Sequence, residues 1–469
     1  MRIKLISLGI LTLAMQWCIA KEGYKITCKF SGIPAEKCFL ANHFGDKQYI
    51  QDSCEADRSG NFVFQGSKSL PGGMYLVVLP SKRYLEVMID KEQFFSIEGD
   101  STLSPEMVKV KGSTDNKQFY DYLAYISAKN KAIQPLRDRY NALSAEEQKT
   151  SHVREQMKAI DDDVANYKDD FMKKNPQAFL TAIFNYSESP DVPEPPVNPD
   201  GSIDSNFAYN YYKGHFWDKI NFADARMLRT PIYHQKLVEY FDKLVYQIPD
   251  SINKEADMMV IKAEADTEVW KYTVWFITYH FETSKIMGLD AVFVHMVNNY
   301  YKRPKAYWLS DDGLYKIQER AKQLDPILLG KKVRNIVLQD SLEHYRSMYD
   351  IRNKYTLLLF WDPDCGHCQK VVPKVRDFYD KTKQNGIDLE VYGVCTEAEV
   401  EKWKKYMREK NLNWINVADF KFRDNFRHDF DISTTPQIFL LDTDKKLIAK
   451  KLEIEQVEDL IKRREGKEN

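Results

Sequence analysis

The chain has 469 residues, too many for one ordinary core and enough for several domains of about 100 to 200 residues each. Its 68 Lys and Arg stand against 69 Asp and Glu, a formal net charge of −1. No global field therefore recruits nucleic acid or an anionic membrane, and recognition has to come from local chemistry.

The chain opens with Arg2 and Lys4, a mostly apolar run from Leu5 to Trp17, and the small residues of Cys18-Ile19-Ala20 before Lys21. This order reads as a secretory signal over residues 1–20, cleaved after Ala20, and it places the protein outside the cytoplasm, in the periplasm of a cell with two membranes. The apolar run is shorter than the roughly 20 residues a spanning helix needs, so no transmembrane segment is expected. Cys18 offers a lipid-attachment alternative that leaves membrane anchoring open, although Trp17 is large for the residue before such a site. Cleavage leaves Cys28, Cys38 and Cys54 near the start and Cys365, Cys368 and Cys395 far downstream. Two of the first three could pair in an oxidising compartment, or each could be a small buried apolar residue.

From residue 21 to 113 the pattern has period two. Tyr24, Ile26, Cys28 and Phe30 alternate with polar residues, Asp57-Arg58-Ser59-Gly60 makes a turn, and Asn61-Phe62-Val63-Phe64 follows. Further short runs at Met74 to Leu79, Leu85 to Ile89, Phe94 to Ile97 and Val108 to Val110 predict a β-sandwich-like domain.

Residues 114–325 change to helical periodicity and predict an all-α domain, interrupted by a proline-rich loop over 189–200. Trp270, Val274, Ile277 and Phe281 share one face of a helix, and the charges beside them exclude a membrane span. His215, His234, His280 and His295 have no recognised metal-ligand spacing, so they read as structural or surface residues.

The chemistry lies in the last segment, 326–469. Tyr355 to Phe360 is an apolar run suited to a buried parallel strand, and it leads through Trp361-Asp362-Pro363-Asp364 into Cys365-Gly366-His367-Cys368. Val371, Val375 and Phe378 then repeat at helical spacing, which places Cys365 at the N-terminal end of a helix. Unpaired N–H groups there favour a thiolate. Two intervening residues let Cys368 reach the Cys365 sulfur, giving a reversible two-electron switch, and a protonated His367 adds to thiolate stability. Half a zinc site is the competing reading, but no second ligand pair lies near and Cys395 alone does not complete four ligands.

From about Leu329 onward the chain resembles the thioredoxin superfamily, specifically its exported TlpA/ResA-like branch. Trp361 stands four residues before Cys365, Pro373 eight after it, and Thr435-Pro436 opens the apolar run Ile438-Phe439-Leu440-Leu441, as in that family. Asp442 to Lys445 then makes a hairpin turn, and Ile454 to Arg464 makes a closing helix. The resemblance implies an α/β thioredoxin fold, a cis peptide bond before Pro436 facing the two sulfurs, and catalysis by Cys365 and Cys368 supported by Trp361, Gly366, His367, Thr435 and Pro436. It implies no cofactor and no metal. It implies as partners the thiol- or disulfide-bearing proteins of the exported compartment, with a separate thiol electron donor or acceptor. Gln51-Asp52-Ser53, Gly60 to Phe64 and Val110 to Ser113 resemble the β module that opens such proteins, and Arg226 to Pro231 and Lys285 to Phe293 resemble their helical spacer. Neither module brings an assigned chemistry.

One departure matters. Many thioredoxins have a buried Asp six residues before the first cysteine, where this chain has Leu359, so Asp362, Asp364 and Glu390 become the candidate proton acceptors for Cys368. A peroxiredoxin would need Thr or Ser at the position of Asp362 and Pro at that of Leu358. The remaining alternative is a binding or scaffolding protein of the cell envelope whose redox domain is accessory.

Overall fold

The computed structural model describes residues 22–397, 399–421 and 423–466, so the expected signal segment and Cys18 lie outside the described residues. The chain divides between Tyr240 and Phe241 into two units, inside the stretch whose periodicity predicts one helical domain.

In the first unit, strand β1 (Tyr24–Ser31) buries every second residue, as its period of two requires. It is followed by β2 (Lys37–Phe44), β3 (Lys47–Glu55), β4 (Asn61–Gly66), β5 (Gly73–Val78), β6 (Tyr84–Ile89), β7 (Phe94–Asp100) and β8 (Lys109–Lys111). They form two four-stranded sheets, β4-β1-β7-β8 and β3-β2-β5-β6. Ile26, Cys28 and Phe64 from the first sheet share one core with Cys38, Leu40, Tyr75 and Val77 from the second, the arrangement of a β-sandwich. The turn before β4 is closed by Asp57, whose carboxylate accepts from the N–H groups of Ser59 (2.8 Å) and Asn61 (2.9 Å). Gly60 has φ +76° there, and a Cβ would stand 1.9 Å from the Phe30 carbonyl oxygen, so only glycine fits.

Helices Thr114–Asn141, Val153–Lys174, Phe179–Ser187, Phe207–His215 and Ile232–Glu239 follow. Phe119, Tyr120, Phe179 and Phe184 extend the sandwich core. Buried Asn116 fixes the first helix against β6: its Oδ1 accepts from Met88 N–H (2.8 Å) and its Nδ2 donates to Met88 O (2.6 Å). Arg226 bonds Asp90 (2.6 Å) and Asp224 (2.8 Å). The proline-rich segment carries only the isolated bridge between Val197 and Ile203.

In the second unit, helices Pro249–Ala263, Thr267–Glu282, Asp290–Tyr300 and Asp311–Leu324 precede strands β9 (Val337–Asp340), β10 (Tyr345–Ser347), β11 (Tyr355–Trp361), β12 (Leu389–Cys395), β13 (Ile415–Ala418), β14 (Gln437–Leu441) and β15 (Leu447–Lys450). The strands make one mixed sheet, β10-β9-β13-β12-β11-β14-β15. Central β11 is buried throughout, parallel to β12 and antiparallel to β14, so the parallel pairing expected for it holds on one side only. Val371, Val375 and Phe378 from the helix Cys368–Gln384 pack with Val457 and Ile461 from the helix Ile454–Arg464 in the core of this sheet. The mixed sheet with these helices is a thioredoxin fold.

The preceding helices are bound to that sheet by polar anchors. Arg320 donates to both carboxylate oxygens of Asp431 (2.6 and 3.1 Å), Gln323 to the His428 carbonyl (2.9 Å), and buried Lys450 pairs with Asp290. The face Trp270, Val274, Ile277 and Phe281 is buried as its spacing predicts. His280 and His295 bond Asp242 (2.7 Å) and Asp257 (2.8 Å), and among the described residues no cluster of metal-ligating atoms contains a histidine. No described helix is long and apolar enough to cross a membrane.

Candidate active site

The apolar strand β11 carries the chain through the sheet to Trp361, and the residues after it turn back to start a helix. Asp362 shapes that turn: its carboxylate accepts from Asp364 N–H (2.8 Å) and its carbonyl from Cys365 N–H (3.2 Å). The helix begins at Cys368, with His367 as its N-cap residue. Cys365 therefore sits in the turn before the helix, three residues earlier than its expected place at the helix end. Even so, its half-buried sulfur lies over the free N–H groups of the first turn.

The two cysteines face different surroundings. Cys368 is fully buried, while Gly366 and His367 are exposed. Burial works against ionising Cys365, but the N–H groups of Cys368 and His367 and the Thr435 side chain outweigh it and hold the thiol below its ordinary range. Burial pushes Cys368 up to about 12, with only partial relief from the Asp362 N–H, which lies 3.4 Å from its sulfur. One cysteine is poised to ionise and its neighbour to stay protonated.

Thr435 and Pro436 come from the loop before β14. The Cys365 thiol donates to the Thr435 carbonyl at 3.2 Å, and the Thr435–Pro436 peptide is cis. A shallow cleft of about 230 Å³ opens beside them, lined by His367, Thr434, Pro436 and Gln437 among others. Trp361 lies beneath the turn, fully buried, with its ring 5.3 Å from that of Tyr406. Gly393 on β12 makes room for it and for Trp414: a Cβ there would stand 2.7 Å from Trp414 Nε1 and 3.3 Å from Trp361 Nε1.

Of the three carboxylates expected as proton acceptors, Glu390 is turned away. It sits at the opposite end of β12 from Cys395 and accepts from the Tyr379 hydroxyl at 2.8 Å. Asp362 and Asp364 stay at the cysteine turn, where they meet a residue the linear sequence gives no reason to place there, Glu397. Oxygens of these three carboxylates lie within 4.8 Å of one another, and Lys402 pairs with Asp364. Cys395 is opposite Trp361 in the β11–β12 register and is buried, and no cluster of cysteine ligands occurs among the described residues.

This asymmetry predicts selective alkylation. Iodoacetamide at neutral pH should label Cys365 in the reduced protein and leave Cys368 unmodified in the folded state, read by peptide mass spectrometry. Equal labelling of the two would contradict it.

Residues 353–447 match the family model described as thioredoxin-like. Residues 24–119 and 144–325 match two models described as domains of unknown function, DUF4369 and DUF5106. Over 122 residues, 26% of this chain and 68% of the relative, the sequence is 25% identical to the thiol-disulfide oxidoreductase ResA of Bacillus cereus. Among solved structures, a domain of a possible thiol-disulfide isomerase from Cytophaga hutchinsonii is 38% identical, covers 30% of this chain and 94% of that one, and gives a TM-score of 0.28. A thioredoxin-like protein from Bacteroides caccae is 19% identical, covers 58% of this chain and 99% of that one, and gives a TM-score of 0.46.

Proposed function

Because the chain is a thioredoxin-like thiol-disulfide oxidoreductase, we propose that it exchanges thiols and disulfides with exported proteins through the Cys365–Cys368 pair. The observation that carries this reading is the contrast between the half-buried, readily ionised Cys365 and the buried, protonated Cys368.

The Cys365 thiolate attacks a partner disulfide, forming one S–S bond to the partner and releasing the partner's other sulfur as a thiolate, which takes a proton from water. The Cys368 thiol then gives its proton to water and attacks the Cys365 sulfur. The second partner sulfur leaves, and the pair ends as a disulfide. Run backwards, the same steps oxidise a partner dithiol. A separate exported thiol donor or acceptor resets the pair. The Thr435–Pro436 segment, with its carbonyl against Cys365, holds the extended partner chain in line with the attacking sulfur.

A glutathione titration of the full chain tests this. The expected result is one two-electron couple, absent from Cys365→Ser, together with loss of all disulfide turnover in that variant. If Cys365→Ser keeps its turnover, the assignment fails. If the wild type has no turnover but partner binding persists, the scaffolding alternative takes its place.

His367→Pro should make the protein a stronger reductant. Proline removes one of the N–H groups that stabilise the Cys365 thiolate, and it removes the imidazole beside it. Each unit by which the Cys365 pKa rises corresponds to a potential lower by roughly 30 mV for this couple. An unchanged or higher potential in the same titration would count against the role given to His367.

A further inference from the structure

A different set of cysteines lies in the first unit. Strands β2 and β3 form an antiparallel hairpin in which Cys38 and Cys54 are directly opposite. Opposed residues on neighbouring antiparallel strands have Cα atoms about 4.5 or 5.5 Å apart and point to the same face of the sheet. Both separations fall inside the range of about 4.4 to 6.8 Å that a disulfide spans. Cys28 is also near, but it lies on β1 in the facing sheet and is a register partner of neither.

The strand that carries Cys54 is weakly held. β3 is at the edge of its sheet, none of its residues is buried, and Tyr49 and Ile50 project into solvent. It is held by backbone pairing with β2, interrupted by a register shift between Leu40 and Ala41, and by Asp52, which accepts from the Tyr24 hydroxyl (2.7 Å) and the Gln65 N–H (3.2 Å). An edge strand of this kind tends to fray and to pair with other chains.

We infer that Cys38 and Cys54 form a reversible cross-strand disulfide, a second thiol-disulfide site in this protein, which clasps edge strand β3 to β2. The oxidant is a disulfide in the exported compartment. Two thiols and one oxidant disulfide give the Cys38–Cys54 bond and two oxidant thiols, with both protons passing to the released sulfurs. Cys38 is fully buried and Cys54 half-buried, so Cys54 is the sulfur that exchanges with the oxidant or reductant, and Cys38 closes or reopens the bond from the inside. Burial raises both thiols, to about 12 and about 11, so neither is a ready thiolate in the reduced state. The clasp should therefore resist reduction more than the Cys365–Cys368 pair does.

The three cysteines fall on separate tryptic peptides, Ile26–Lys29, Cys38–Lys47 and Gln48–Arg58. The full chain is equilibrated with oxidised glutathione, its remaining thiols are alkylated in acid, and the digest is mapped by mass spectrometry. The expected result is Cys38–Lys47 joined to Gln48–Arg58, with Cys28 alkylated. The joined species should be absent from Cys38→Ser and from Cys54→Ser and retained in Cys28→Ser. Linkage of Cys28 to either cysteine would overturn the assignment. So would alkylation of both Cys38 and Cys54 under conditions that fully oxidise Cys365–Cys368. Hydrogen exchange over residues 47–55 tests the clasp itself: wild-type amides should exchange several-fold more slowly in the oxidised protein than in the reduced one, and equal rates would remove the structural role.

Discussion

Replacing Cys368 with Ser should turn a passing contact into a stable covalent complex through Cys365, seen as a higher-mass band on a non-reducing gel and lost on adding a thiol reductant. Cys365 remains half-buried with its N–H donors in place, so the first exchange step proceeds. The serine hydroxyl cannot form the second S–S bond, and nothing else at the site takes its place: Cys395, the other cysteine of this unit, is buried with its thiol held protonated. The double variant Cys365→Ser/Cys368→Ser should trap nothing. Trapping also has a defined pH dependence. A thiol whose pKa lies below its ordinary value of about 8.5 stays a thiolate at pH values where a free cysteine is protonated. Complex formation should therefore persist below that range and decline as the pH falls through the lowered pKa of Cys365. If extracts of the exported compartment give no trapped protein while the wild type still reduces small disulfides, the partner is a low-molecular-weight thiol rather than a protein.

Asp290→Ala should destabilise the second unit by about 3 kcal/mol, because it leaves the ammonium of Lys450 buried without its counter-charge. Lys450 is 6% exposed and pairs with Asp290, and its remaining partner is the Ile327 carbonyl at 2.7 Å. That carbonyl keeps the loss at the low end of what breaking a buried pair costs. Lys450→Met, which removes the charge and keeps the volume, should be near neutral, and combined with Asp290→Ala it should recover most of the loss. Urea denaturation of the full chain provides the measurement, with a shifted midpoint and an unchanged slope. A change of less than about 1 kcal/mol in Asp290→Ala would mean that water screens the pair as it does at a surface.

The sequence is most legible where one short-range pattern dominates. The alternation from Tyr24 to Phe30, the buried run at β11 and the helix Ile454–Arg464 each follow from apolar spacing alone. β9 and β10 are not legible. They are short, largely exposed strands, held by backbone pairing that no side-chain period announces. At the site, the cysteine turn and the Thr435–Pro436 loop follow from motif spacing, whereas Glu397 meets Asp362 only because β12 runs parallel to β11 and ends beside it. Periodicity puts Cys365 at the helix end because it gives a helix's face but not its first residue, which here depends on the Asp362 turn. The division at Tyr240 is equally hidden. Helical spacing identifies a buried face without saying which sheet covers it, and the choice is made by single polar contacts such as Arg320 with Asp431 and Gln323 with His428.

Those contacts bear on how such a chain can be inherited. Recombination that moved only the sheet from Val337 onward would strand Lys450 and Asp431 without Asp290 and Arg320, which lie upstream. A breakpoint near Tyr240 would separate none of these pairs. The piece that can travel between genes intact is thus longer than the redox fold itself, and relatives that share this sheet without these helices should carry an uncharged residue where this chain has Lys450, whereas Asp431 keeps Lys451 as a partner.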